Sequence, residues 1–147
     1  MTRRIAGLAL LVILAQFPAH AWQAGVEGRL CTLEHSGEAG EVRLTYDPAL
    51  PLYTIALTRD APWPEAAFFE IRFIGAASGT ISTTRHVLSD GGRTLTVTDR
   101  GFGNVLDGLE FNSAAVAVAG VSQAAFDLAG AAPEVAAFRA CLTAPAA

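Results

Sequence analysis

Glu41-Val42-Arg43-Leu44-Thr45-Tyr46-Asp47-Pro48-Ala49-Leu50-Pro51-Leu52-Tyr53-Thr54-Ile55-Ala56-Leu57-Thr58 reads as a strand, a turn and a second strand. Val42, Leu44 and Tyr46 fall on one face, with Glu41, Arg43 and Thr45 on the other. Tyr53, Ile55 and Leu57 then alternate with Thr54, Ala56 and Thr58. A period of two places apolar side chains on a single side of an extended chain, the pattern of a half-buried strand. The connector holds Asp47, Pro48 and Pro51, which favour a turn over continued pairing. The two strands are therefore expected to pair antiparallel.

The same alternation spreads outward from this pair. Phe69, Ile71 and Phe73 point one way and Glu70 and Arg72 the other. The segment from Thr80 to Thr98 reads as a hairpin: Ser89-Asp90-Gly91-Gly92 separates Arg85–Leu88 from Thr94–Thr98, and an Asp-Gly pair supplies the positive φ angles that tight hairpins need. The row Thr94, Thr96 and Thr98 is expected to face water. Ala114–Ala119 and Gln123–Leu128 are further strands, and the first strand is expected to include Arg29 to Glu34. The period changes only at the end: Pro133, Glu134, Val135, Phe138 and Leu142 have the spacing and the acidic start of a short helix. The expected fold is mainly β, an antiparallel β-sandwich or flattened barrel with a C-terminal α-helix.

The start of the chain has a different logic. Arg3 and Arg4 precede an apolar run from Ile5 to Phe17, and Ala19-His20-Ala21 places small residues where a signal peptidase reads. The run spans 13 residues, short of the roughly 18 that a membrane-spanning helix needs, and Pro18 ends it. Residues 1–21 are thus expected to be a signal peptide and 22–147 a single exported domain without a membrane span, periplasmic or secreted. Its 126 residues suffice for one core. That domain carries eight arginines against 14 acidic residues, a formal charge of −6 that disfavours nucleic acid as a partner.

Cys31 and Cys141 are the two cysteines of the chain. In an oxidising compartment such a pair points to a disulfide joining the two ends of the domain. Cys31, His35, His86 and Cys141 could instead form a zinc set, a reading that competes for the same thiols. No cofactor is expected. Lysine is absent, which excludes the phosphate loop of nucleotide hydrolases, and Gly101-x-Gly103 has Leu106 where a dinucleotide motif needs glycine.

Two stretches are candidates for binding. Thr98 to Phe111 gathers three glycines with Asp99, Arg100, Asn104, Asp107 and Glu110, the makings of a cation or ligand loop. Alternatively it is a connector in which Phe102, Val105, Leu106 and Leu109 plug the core. Trp63, between Pro62 and Pro64, is either presented to a partner or folded back as a lid. Trp22 carries little information. For catalysis, Ser78 in Gly75-Ala76-Ala77-Ser78-Gly79 lacks the glycine that a nucleophile elbow needs two residues earlier. His86 with nearby carboxylates would be the basis of a hydrolase or metal-dependent enzyme, though no spacing selects its partners.

Pro51–Arg59, the Asp99–Asn112 stretch and Phe126-Asp127-Leu128-Ala129-Gly130-Ala131 followed by Phe138-Arg139-Ala140-Cys141 together resemble a family of small uncharacterised exported bacterial proteins. The strand-rich body and the Phe-x-Leu-x-Gly-Ala entry to a terminal helix also resemble periplasmic proteins of the invasion-associated locus B type. Neither resemblance brings catalytic residues to positions here. Relatives of the first group sometimes bear the name of an excinuclease component, an ATP-driven DNA repair helicase. That activity requires a lysine-bearing phosphate loop and several hundred residues, and the chain has neither. The resulting expectation is a non-enzymatic binding or interaction module of the envelope, with an envelope protein or small ligand as partner. A small periplasmic hydrolase or metal-dependent enzyme is the alternative, and a structural envelope role a third.

Overall fold

The computed structural model describes residues 21–144, so the expected signal segment lies outside the described residues except for Ala21. Ten strands form two antiparallel sheets. The larger holds β1 (Trp22–Glu27), β2 (Leu30–Gly37), β3 (Gly40–Asp47), β4 (Leu52–Thr58), β7 (Val87–Ser89) and β8 (Thr94–Asp99), in the order β1-β2-β3-β4-β8-β7. The smaller holds β5 (Phe69–Ile74), β6 (Gly79–Thr83), β9 (Ala114–Ala119) and β10 (Ser122–Asp127), in the order β10-β9-β5-β6. The two sheets are separate, so the fold is a sandwich and not a closed barrel. Two helices complete it, α1 (Gly103–Phe111) and α2 (Ala131–Leu142). Neither is long and apolar enough to cross a membrane.

Alternation sets the register. Val42 lies opposite Leu57 and Leu44 opposite Ile55, so the apolar residues of β3 and β4 share the inner face. All four are buried, as are Leu95 and Val97 of the neighbouring β8. From the smaller sheet Phe69, Ile71 and Phe73 face them, with Ala115, Ala117 and Phe126. Truncating one such side chain to alanine typically costs about 2–5 kcal/mol, because transfer and cavity terms add. The threonines stay on the outside, where Thr54 meets Thr98 and Thr58 meets Thr94 through their hydroxyls. The β7–β8 hairpin turns through Asp90, Gly91 and Gly92, with φ of 53°, 64° and 87°.

Three elements depart from expectation. Thr80–Thr83 belong to β6, which pairs with β5 in the smaller sheet, and only β7 and β8 form the hairpin. Trp22 opens an edge strand, β1, which precedes the strand expected to be first, and its side chain is only 1% exposed. It fills the space opposite the small Ala115 and Ala117, leaving a void of about 20 Å³ among these residues and their neighbours. The Asp99–Glu110 stretch is a helix from Gly103 onward and not an open loop. Phe102, Val105, Leu106 and Leu109 are buried as the connector reading required, and their three- and four-residue spacing is helical. Gly108 lets α1 close on the sheet: a Cβ there would fall 2.3 Å from the Phe73 ring.

Helix α2 closes the end of the sandwich near β1 and β2. Glu134 in its first turn accepts the Ala24 amide at 2.8 Å. Val135 and Phe138 are buried, and Cys141 in the last turn is bonded to Cys31 of β2, Cα atoms 5.9 Å apart. The zinc set involving these thiols is thereby displaced. A disulfide of this kind fits an oxidising compartment.

Candidate functional site

The chain crosses from the small sheet back to the large one between β6 and β7, at the edge away from α2. Thr83 Oγ1 accepts the Arg85 amide at 3.1 Å and turns the backbone across the gap. Beneath this crossover the two sheets do not close on each other. They leave between them a pocket of about 400 Å³ that opens to solvent. Ile55 and Val97 line it from the large sheet, Phe69, Ile71 and Ile81 from the small one. Phe102 and Val105, at the start of α1, form the wall between them, and Phe102 is held by its stack on Tyr53, centroids 5.3 Å apart. The volume lies within the range of roughly 300–1,000 Å³ usual for small-molecule sites.

The mouth is polar. Ser82, Thr83, Arg85, Asp99 and Asn104 surround it. Arg85 Nη2 donates to Asp99 Oδ2 at 2.9 Å, and the other Asp99 oxygen accepts the Arg100 amide at 2.7 Å. The Arg85 side chain is 70% exposed and that of Asp99 40%, so their ion pair is worth at most about 1 kcal/mol. Helix α1 begins beside it with Phe102 as N-cap, no side-chain cap and no acidic residue in its first turn. Its leading N–H groups add partial positive charge at the same rim.

The sequence candidates are thus divided. Asp99 and Asn104 line this pocket, and exposed Arg100 follows Asp99 without joining the lining. Asp107 and Glu110 instead grip Arg139 of α2, at 2.6 and 3.0 Å, and tie the helices together. Trp63 is the lid and not the presented anchor. It is 3% exposed, its indole N–H donates to the Leu57 carbonyl at 3.1 Å, and the Arg59 guanidinium lies 4.0 Å above its ring. Burial holds Arg59 below the usual guanidinium range. Cys31 and Cys141 form the disulfide.

No protein-family model, curated protein or solved structure matches the chain. His86 lies beside Phe69, centroids 6.3 Å apart, and its buried Nδ1 has no hydrogen-bond partner among the described residues. The carboxylate and hydroxyl that a hydrolytic His86 requires are not joined to it there. His35 is enclosed by Trp22 and Phe126. Among the described residues no group of three His, Cys, Asp or Glu side chains is arranged to hold a metal ion. A hollow of about 440 Å³ near the β2–β3 turn is slightly larger than the interior pocket. Glu38, Glu41, Arg59, Asp60 and Arg93 line it together with small residues, and no large aliphatic or aromatic side chain takes part.

Arg85 was missed as a site residue. Nothing in the sequence separates it from the other arginines, because it lies in the β6–β7 crossover and its partner Asp99 is 14 residues away on β8.

Proposed function

We propose that the protein is an exported, non-enzymatic binding module, periplasmic or secreted, that seats a small and largely apolar molecule between its two sheets. The supporting observation is the 400 Å³ pocket with apolar residues at its base and polar ones at its mouth, at the edge of the sandwich away from α2 and walled by the start of α1. Enclosing such surface around an apolar molecule gains about 25 cal/mol per Å² removed from water. The signal-like start and the disulfide support the extracytoplasmic setting. The test is titration of the oxidised protein with 1-octanol, followed by methyl NMR. Shifts confined to Ile55, Ile71, Ile81 and Val97, and lost in a cavity-filling Val97→Phe variant, are expected. Absent shifts, or shifts scattered over the surface, would remove the proposal.

A further inference from the structure

We infer that the molecule seated in this pocket is a short amphipathic anion, whose head group takes the Arg85 guanidinium from Asp99 while its tail enters between the sheets. This rests on the pocket being a ligand site, as proposed above. A pocket of about 400 Å³ with an open mouth accommodates a free chain of about eight carbons with a single charged end.

The sign of the charge follows from the mouth. The chain as a whole is acidic, yet at this mouth Arg85 faces Asp99 alone, beside the unpaired N–H groups that open α1. Asp99 already accepts from Arg85 Nη2 and from the Arg100 amide, so a cationic ligand would have to compete with Arg85 for it. Arg85 engages Asp99 through Nη2 alone, which leaves further donors of its planar fork for a second anion. The exchange is easy for Asp99, which keeps the Arg100 amide and is open to water. An uncharged apolar ligand would make no use of these donors.

The oxidised protein is titrated in parallel with octanoate, 1-octanol and octyltrimethylammonium. Octanoate is expected to bind about fivefold tighter than octanol at low salt, the ammonium more weakly than either, and the octanoate advantage to shrink as salt is raised. Arg85→Gln brings octanoate down to the octanol value, and Asp99→Asn raises the octanoate-to-octanol ratio; thermal melts confirm that both exposed substitutions leave the fold intact. Equal binding of octanoate and octanol with shifts at Ile55 and Val97 overturns the anion while the pocket stands. No shift with any of the three overturns both. Sedimentation with phosphatidylglycerol vesicles in place of octanoate binding overturns the free amphiphile.

Discussion

Trp22 lies face to face with His35, ring centroids 4.5 Å apart and planes inclined by 23°. The indole N–H donates to the Asp127 carbonyl at 2.8 Å, so the pair joins β1 and β2 of one sheet to β10 of the other. His35 is 6% exposed, and burial lowers its pKa from 6.5, opposed by the Ala21 carbonyl and the charge of Asp127. Removing Ala21 by the expected cleavage takes away one of these opposing groups and pushes the same way.

A lowered histidine pKa means that the unfolded chain binds the proton more tightly. The contribution of His35 is therefore complete above 6.5 and declines as pH falls toward its folded value. The melting temperature should drop on acidification from about pH 7.5 to about 5.5, above the range in which ordinary carboxylates titrate. His35→Gln should flatten that slope. An equally steep profile in the variant would assign the effect to other groups.

Replacing Cys31 and Cys141 together with alanine should lower stability by about 2–5 kcal/mol, since the bond spans a separation of 110 residues. Denaturant unfolding with and without a reductant measures it. Coincident curves would show that β1, β2 and α2 hold together through packing alone.

Gly108→Ala offers a test by sign. At an exposed helical position alanine gains up to about 1 kcal/mol over glycine. Here the new methyl meets the buried Phe73 ring, and overpacking costs about 1–3 kcal/mol. Net destabilisation is expected, while Gly103→Ala, with nothing within 4 Å, should be neutral or better. A stabilised Gly108→Ala variant would mean that Phe73 moves aside freely.

Trp63→Ala should cost about 3–5 kcal/mol, as expected for a large aromatic removed from a core. Trp63→Phe retains most of the packing but leaves the Leu57 carbonyl without its indole donor, a loss of about 1–3 kcal/mol. Thermal melts that barely change in Trp63→Ala would restore the idea of a tryptophan held out for a partner.

What could be read from residue order was whatever repeats locally. The period-two runs around Leu44, Ile55 and Ile71 located strands, and the Pro133–Leu142 spacing located α2. Helix α1 was obscured by composition: Gly103, Asn104 and Gly108 are poor helix formers, and packing of Phe102, Val105, Leu106 and Leu109 overrides that preference. Strand β1 alternates Trp22, Ala24 and Val26 with Gln23, Gly25 and Glu27, but the run is short, holds a glycine and begins at the expected cleavage point; it is held by pairing with β2 and by the burial of Trp22. The pocket was hidden for a different reason. Its walls come from β4, β5, β6, β8 and α1, and only the crossover of the chain brings Arg85 to Asp99.

To a protease, the Cys31–Cys141 bond makes this protein a ring. Every element from β3 to α1, β9 and β10 lies within it, including the Thr83–Arg85 crossover that roofs the pocket. A single nick in that roof separates no fragment, and both sides stay covalently joined until the disulfide is reduced. Among the described elements only β1 lies wholly outside the ring, held by its hydrogen bonds to β2, by the Glu134 carboxylate on the Ala24 amide and by the seat of one indole.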